Sequence, residues 1–297
     1  MPLELLAPAK LNLGLEVLGR RDDGYHEVST ILATVSLFDR LAFSPSADIR
    51  LTVEDAELDN DENLVVRAAR LLRRRSGVRI GAAISLTKRI PAAAGLGGAS
   101  SDAAAALLGL CMMWRLTPSR EALAELALEL GSDVPFFLRG GVAHAGGRGE
   151  RLSPLPRLRS AGFVILGPSI VIPGKTATLY GLLEPSDFST GAQIQESAAL
   201  LADGNPSAPL NLANAFQRPL LDLRPDLRES IRDMTGTPPL PFALSGAGPA
   251  HFVMTKDARQ ASAAAHRLRA VAPRGWRVIA CRPCAGPFPL ARVRAGH

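Results

Sequence analysis

Cysteines and long hydrophobic segments are both scarce in this chain of 297 residues. Its most apolar stretch, residues 103–114, is much shorter than a membrane-spanning helix, which needs about 20 residues. The segment before Lys10 lacks the hydrophobic region and cleavage site of a secretory signal, so we expect a cytoplasmic protein without a membrane partner. The three cysteines are too few for a disulfide framework, and Cys281 and Cys284 lack the second pair that a structural zinc site requires.

Lysine and aromatic residues are also rare. Only four of the 34 basic residues are lysines, and aromatic residues make up 5% of the chain. The net charge of +6 therefore comes mainly from arginine, and the basic residues do not alternate with the aromatic side chains that stack on nucleic-acid bases. These absences argue against a nucleic-acid partner. The scarcity of lysine also hints that Lys10, which is flanked by apolar residues, is a position where a compact ammonium was needed.

The length and the mixture of patterns predict two domains of ordinary size. Strand-like and helix-like segments alternate along the whole chain, and neighbouring strand pairs are typical of the α+β class. Residues 140–156 are rich in glycine, arginine and proline and predict a boundary region. We therefore expect an N-terminal domain over residues 1–156 and a C-terminal domain over residues 157–297.

Several elements of the first domain can be placed from periodicity and from capping residues. We expect strands over residues 3–18, 28–43 and 80–86, and helices over residues 64–75, 101–114 and 122–130. Asp59, Asn60 and Asp61 are the candidate caps of the first helix.

The most informative segment is the glycine-rich loop between the third strand and the second helix. The unpaired N–H groups at the start of a helix favour a bound anion, and glycines at 95, 97 and 98 let the backbone approach phosphate oxygens. Ser100 and Ser101 can cap the helix, donate to phosphate or reach a phosphate-bound Mg²⁺. A tight turn with a serine cap explains the composition equally well. The loop consists of Pro91, Ala92, Ala93, Ala94, Gly95, Leu96, Gly97, Gly98, Ala99, Ser100 and Ser101.

Two better-known phosphate-binding motifs fail on their spacing. A dinucleotide fingerprint that starts at Gly95 needs a glycine where Ser100 stands. Residues 174–176, Gly-Lys-Thr, resemble the end of a Walker A loop, but the earlier glycine would fall on Ser169.

Three segments, in order along the chain, resemble the motifs of the GHMP kinase family. They are residues 7–13 (Ala-Pro-Ala-Lys-Leu-Asn-Leu), the glycine-rich loop, and residues 244–249 (Leu-Ser-Gly-Ala-Gly-Pro). The resemblance implies a two-domain fold, with an N-terminal domain like domain 2 of ribosomal protein S5 and a ferredoxin-like C-terminal domain. It also implies an ATP- and Mg²⁺-dependent kinase that phosphorylates an alcohol group of a small molecule, as a monomer or weak homodimer.

Within the family, residues 21–26, 61–69 and 130–137 resemble one branch in particular. The acceptor of that branch is CDP-methylerythritol, an isoprenoid precursor. The resemblance implies that Tyr25 stacks on the cytosine ring, that His26 hydrogen-bonds the edge of the ring, and that Tyr180, near Thr176, offers a second stacking face.

The resemblance also assigns the catalytic residues. Asp133, which by itself predicts the N-cap of a short helix, would orient the acceptor hydroxyl and accept its proton. Lys10 would lie beside Asp133 and the reacting oxygen. Asn12 would point to the same strand face as Lys10, because side chains alternate along a strand.

The remaining residues implied by the resemblance bind phosphates and adenine. Asn63 and Lys88 match positions that line the adenine pocket, and Gly246 and Gly248 belong to a loop that closes over the substrate phosphates. One departure is visible at residues 214–217, Asn-Ala-Phe-Gln, where the family more often has Asn-Asp-Leu-Glu.

Three other functions stay open at this point. The chain can be another small-molecule kinase of the same family, or a non-catalytic basic binding protein that kept the fold, although the presence of both Lys10 and Asp133 argues against the latter. The third possibility is a P-loop NTPase that binds nucleotide through residues 174–176. In that case nucleotide binding would depend on Lys175 and not on Gly97.

Overall fold

The computed structural model describes residues 3–55, 58–158, 160–204, 210–236 and 240–284, and within these ranges it has the predicted α+β architecture. The strands are β1 (Leu3–Arg20), β2 (His26–Ser46), β3 (Ile49–Val53), β4 (Gly81–Thr87), β5 (Val142–Gly146), β6 (Arg151–Leu155), β7 (Gly162–Gly167), β8 (Ala243–Leu244), β9 (His251–Thr255) and β10 (Arg277–Cys281). The helices are α1 (Leu64–Ser76), α2 (Gly98–Met113), α3 (Arg120–Leu130), α4 (Val134–Arg139), α5 (Lys175–Gly181), α6 (Ala192–Ala202), α7 (Gln217–Leu223), α8 (Pro225–Thr235) and α9 (Ala258–Val271).

The first sheet has the strand order β3-β4-β2-β5-β6, and β1 pairs with β2 in addition. Helices α1 to α4 cover one face of this sheet, and α2 packs directly on β1 and β2. The first half of α2 is rich in buried alanine, which lets its backbone come close to the strands. Gly109 completes this approach, since a Cβ at that position would lie 2.5 Å from the ring of Phe43.

The second sheet is antiparallel, with the order β10-β7-β9-β8. Side chains on β7 alternate between two cores: Phe163 and Ile165 face the space between the sheets, whereas Val164 and Leu166 face α9 and its neighbours. All four are fully buried, because one face of the strand packs on the first sheet and the other packs on helices.

The long strand β1 changes faces where its pairing with β2 shifts register, between Pro8 and Ala9. Leu5 belongs to the core under α2, but Ala9, Leu11 and Leu13 belong to the core between the sheets. Because side chains alternate, the residues between these, including Lys10, point to the opposite side of the strand. The register shift thus determines which side chains reach the site described below.

Three local predictions were wrong. The boundary region predicted at residues 140–156 contains β5 and β6, a hairpin that joins the first sheet through β2. The cap of α1 is Asn63, whose side chain accepts a hydrogen bond from the N–H of Val65, and not one of the three residues at 59–61. The N-cap of α2 is Gly97 rather than a serine. The division of domains between residues 156 and 157 stays a prediction.

The described chain ends against the first sheet. After β10, the N–H of Cys284 donates to the carbonyl of Thr34, and the N–H of Ser36 donates to the carbonyl of Arg282. Neither cysteine of the Cys281 and Cys284 pair belongs to a group of three or more metal-binding side chains within the described ranges. None of the helices described above has the length and apolarity required to cross a membrane.

Candidate active site

A cavity of about 1710 Å³ opens where β1, the glycine-rich loop, the β8–β9 loop and α5 meet. Its volume exceeds the roughly 300–1,000 Å³ of a pocket for one small ligand, so it has room for two substrates at once. Almost all of the predicted site residues line it. The exceptions are Ser101 and Gly248, which are both buried.

Lys10 lies at the centre of this cavity. Only 4% of the residue is exposed, and its ammonium donates a hydrogen bond to the side-chain oxygen of Asn12, as the shared strand face predicts. Its Nζ lies 3.9 Å from a carboxylate oxygen of Asp133. Burial lowers the pKa of Lys10, and the negative charge of Asp133 counteracts that effect. The ammonium is therefore poorly solvated and available to an anion.

Asp133 occupies the N-cap position of α4, as its sequence context predicts, but its side chain makes no capping hydrogen bond. The side chain is 38% exposed and lines the cavity. Since the carboxylate does not satisfy the helix end, it is free to accept a hydrogen bond from a ligand hydroxyl.

The glycine-rich loop packs closely against its neighbours. Gly95 and Gly97 both have positive φ angles, 83° and 68°. A Cβ on Gly97 would lie 2.7 Å from the ring of Phe137 and 2.9 Å from the side chain of Lys10. The N–H of Lys10 also donates to the carbonyl of Leu96. The loop and the central lysine are therefore held as one unit.

The β8–β9 loop docks directly on the glycine-rich loop. The N–H of Ala250 donates to the carbonyl of Ala94, at 3.0 Å, and the hydroxyl of Ser245 donates to the carbonyl of Gly95, also at 3.0 Å. The amide of Asn214 donates to the carbonyl of Gly246 at 2.9 Å. These contacts bring both phosphate-binding loops of the family resemblance to the same side of the cavity.

Aromatic side chains gather at one end of the cavity. Tyr25 is 54% exposed, and the guanidinium of Arg148 lies 4.4 Å from the centre of its ring. His26 stacks on Tyr180, with ring centres 4.5 Å apart, and Tyr180 contacts Phe216 edge to face. His26 thus already covers one face of the Tyr180 ring. The ring of Tyr25, the other predicted stacking residue, is contacted by Arg148 but remains accessible to a planar ligand.

The pKa shifts of His26 and Tyr180 favour neutral side chains at pH 7. Burial, followed by the charge of Arg20, lowers the pKa of His26. Burial, followed by the charge of Asp133, raises the pKa of Tyr180 to about 12. A neutral imidazole can both donate and accept, which suits the edge of a nucleobase.

The predicted adenine residue Lys88 has two carboxylate partners, Asp39 and Asp102, and its Nζ lies 2.7 Å from the second. Burial alone would lower the pKa of Lys88, but these two carboxylates raise it. Burial raises the pKa of Asp102 to about 7. The ammonium of Lys88 is thus held by two carboxylates beside the start of α2. The contact of Lys88 and Asn63 with adenine stays a prediction.

Two buried oxygens at the start of α2 have no hydrogen-bond partner among the described residues: Oγ of Ser101 and Oδ1 of Asp102. Hydroxyl and carboxylate oxygens are the donors that Mg²⁺ prefers. Asp102 lines the cavity and has the donor chemistry for a cation that accompanies phosphate, whereas Ser101 is fully buried and does not line the cavity.

Sequence reasoning missed several residues of the site. Three of them contact site residues that are distant in the sequence: Asp39 pairs with Lys88, Arg148 lies over Tyr25, and Asn214 donates a hydrogen bond to Gly246. Lys175 carried a signal, because it belongs to the Gly-Lys-Thr segment that failed as a Walker A loop. The structure places it in the same cavity.

Comparisons with known proteins show the family to which the chain is similar. The model described as GHMP kinases N terminal domain matches residues 63–141, and the model described as GHMP kinases C terminal matches residues 197–274. A 4-diphosphocytidyl-2-C-methyl-D-erythritol kinase of Dehalococcoides mccartyi is 41% identical, over 90% of this chain and 94% of that protein. The kinase of the same name from Pelotomaculum thermopropionicum is 43% identical, over 91% of this chain and 94% of that protein.

Solved structures show the same fold. A crystal structure of 4-(cytidine 5'-diphospho)-2C-methyl-D-erythritol kinase, 38% identical in sequence, superposes with a TM-score of 0.78, covering 96% of this chain and all of the other. A homoserine kinase from Cytophaga hutchinsonii has the same fold at 17% identity, with a TM-score of 0.67 and 95% of each chain covered. The two family models together cover more than half of the chain, and it therefore belongs to the GHMP kinase family.

Proposed function

We propose that this chain transfers the γ-phosphoryl group of ATP to the 2-hydroxyl of 4-diphosphocytidyl-2-C-methyl-D-erythritol, giving the 2-phosphate and ADP. The reaction belongs to the non-mevalonate route to isoprenoid precursors. The observation that carries the proposal is the Lys10–Asp133 pair, 3.9 Å apart. It lies in a cavity with the glycine-rich loop and the β8–β9 loop on one side and a cluster of aromatic side chains at one end.

The glycine-rich loop holds the phosphates of ATP. The backbone N–H groups at the start of α2 lack intrahelical partners, and the helix dipole favours negative charge there. Gly98, at the first position of α2, lines the cavity and presents no Cβ. Mg²⁺, which enters with ATP, would neutralise phosphate charge, and Asp102 is the cavity-lining residue that could help to hold it.

Asp133 orients the acceptor hydroxyl and accepts its proton. Phosphoryl transfer passes through a loose transition state, so correct placement of the attacking oxygen matters more than its ionisation. Lys10 offsets the charge that develops on the transferred group. Asn12 fixes the position of the Lys10 ammonium through their hydrogen bond.

The aromatic end of the cavity selects the cytidine group. Tyr25 provides a ring for stacking, and the neutral His26 can hydrogen-bond the edge of cytosine. In this arrangement Tyr180 acts mainly by fixing the plane of His26, since the two rings are stacked. Thr176, on the same helix as Tyr180, also lines the cavity.

The purified protein should form ADP from ATP and Mg²⁺ only when the cytidylated acceptor is present. Product formation coupled to ADP release measures this directly, with homoserine and mevalonate as comparison acceptors. Equal turnover with either comparison acceptor would contradict the proposed substrate and assign the chain to another branch of the family. ADP release without any acceptor would contradict a phosphotransferase of this type.

A further inference from the structure

Lys175, the first residue of α5, has no place in the mechanism described above. Its ammonium donates hydrogen bonds to two backbone carbonyls, that of Ala93 in the glycine-rich loop and that of Gly248 in the β8–β9 loop. Within the described parts of the chain, no carboxylate lies within 4 Å of it, whereas Lys10 and Lys88 both have carboxylate partners. The side chain lines the same cavity as Lys10.

The position of Lys175 is electrostatically unfavourable for a cation. Burial, followed by the positive charge of Lys10, lowers the pKa of Lys175 to about 8. Two carbonyl dipoles satisfy hydrogen bonds but do not neutralise the charge. The ammonium of Lys88 pairs with Asp39 and Asp102. Among the described residues, Asp133 is the one carboxylate within 4 Å of Lys10, and none lies within 4 Å of Lys175, so this part of the cavity favours an anion.

The location of α5 indicates which anion. The helix carries Lys175 at one end and Tyr180 at the other, and Tyr180 stacks on His26 in the aromatic group. Five residues of helix rise about 7.5 Å, which is close to the span of the ribose that separates a nucleobase from its diphosphate. A nucleotide with its base at Tyr25 and His26 can therefore place its diphosphate beside Lys175.

We infer that Lys175 binds the diphosphate of the cytidylated acceptor, exchanging at least one backbone carbonyl for a phosphate oxygen. The exchange is favourable because hydrogen bonds between an ammonium and an ionised oxygen are stronger than those to a neutral carbonyl. Lys175 is then a specificity-determining residue that distinguishes a diphosphate-bearing acceptor from an uncharged polyol. This assignment rests on the proposed function, since it requires the base to lie in the aromatic group.

Two other roles for Lys175 make different predictions. A residue that only joins the two loops would affect every ligand that those loops hold. A residue that binds the phosphates of ATP would affect ATP alone. Only contact with the acceptor diphosphate predicts a loss restricted to ligands that carry both the cytosine and the phosphates.

The test compares cytidine 5'-diphosphate with cytidine by isothermal titration, using the wild-type protein, Lys175→Met and Lys256→Met. Lys256 is an exposed lysine outside the cavity, so it controls for the change in net charge. We expect Lys175→Met to weaken binding of the diphosphate by about 10- to 100-fold. Cytidine affinity and the KM for ATP should both stay close to wild type, and Lys256→Met should bind all ligands normally.

A second variant, Lys175→Arg, retains the charge and should recover most of the diphosphate affinity. Equal losses for cytidine and its diphosphate, or a raised KM for ATP alone, would overturn the role of Lys175. Full diphosphate affinity in Lys175→Met would do the same while leaving the proposed function intact. A wild-type protein that binds neither cytidine ligand and does not phosphorylate the acceptor would instead overturn the proposed function itself.

Discussion

Asp133→Asn should lower kcat by about 10²- to 10⁴-fold, the usual effect of removing a group that accepts a proton in the transition state. Asparagine has the size of aspartate but cannot accept the proton of the acceptor hydroxyl. It also removes the negative charge beside Lys10, so the ammonium loses its carboxylate partner. ATP affinity should change little, because the carboxylate does not belong to the glycine-rich loop.

The fold should tolerate this substitution. The side chain of Asp133 is partly exposed and makes no capping hydrogen bond to α4. Thermal unfolding should therefore occur at nearly the same temperature as in the wild type, and steady-state kinetics with titration of ATP separates the two effects. Asp203→Asn, at the exposed end of α6, is the matched control. Turnover retained in Asp133→Asn would remove this residue from the catalytic role.

Gly97→Ala should impair both stability and ATP use. The positive φ of 68° disfavours any residue with a Cβ by about 1–2 kcal/mol. The new methyl would also lie 2.7 Å from Phe137 and 2.9 Å from Lys10, and such crowding typically costs about 1–3 kcal/mol. Because relief of this contact moves Lys10 or the loop, we expect the KM for ATP to rise at least about tenfold, equivalent to about 1.4 kcal/mol.

Gly77→Ala separates the two contributions to this effect. Gly77 ends α1 with a nearly identical φ of 70°, but a Cβ there would meet nothing within 4 Å. Gly77→Ala should therefore lower the free energy of unfolding only by the cost of the positive φ, as measured by denaturant unfolding. Its KM for ATP should equal that of the wild type. Equal kinetic defects in both variants would show that the surroundings of Gly97 have no special role.

Elements with strong periodicity could be predicted from the sequence. The helix expected over residues 64–75 is found at Leu64–Ser76, and the strand expected over residues 80–86 is found at Gly81–Thr87. The reason is that each buries one regularly spaced apolar face, which local spacing reveals. The glycine-rich loop between such a strand and helix could be placed for the same reason.

Elements stabilised by distant partners could not be predicted. The β5–β6 hairpin is rich in glycine and arginine, and it forms a hairpin in the sheet because residues such as Ala145 pair with Thr30, more than 100 residues earlier. Lys175 likewise contacts carbonyls 82 and 73 positions away, in Ala93 and Gly248. The spacing of residues along the chain does not reveal such contacts, although Lys175 belongs to the Gly-Lys-Thr segment that the sequence analysis singled out.

The resemblance to a family supplied what spacing could not. The local sequence around Asp133 favoured a helix cap rather than a catalytic residue. The position of Lys10 beside Asp133 depends on a register shift in β1. The predicted pair lies together, but the same resemblance did not anticipate that His26 covers Tyr180 or that Arg148 lies over Tyr25. Side-chain packing of this kind depends on the full set of neighbours.

The most direct test of the central claim is a crystal structure of Asp133→Asn with ATP and the cytidylated acceptor bound. The account predicts phosphate oxygens of ATP within hydrogen-bonding distance of backbone N–H groups at Gly95–Gly98, with cytosine stacked on Tyr25. The 2-hydroxyl of the acceptor should then lie between the γ-phosphate and the side chain at position 133, with Lys10 beside it. ATP bound away from the glycine-rich loop, or a 2-hydroxyl remote from residues 10 and 133, would contradict the account.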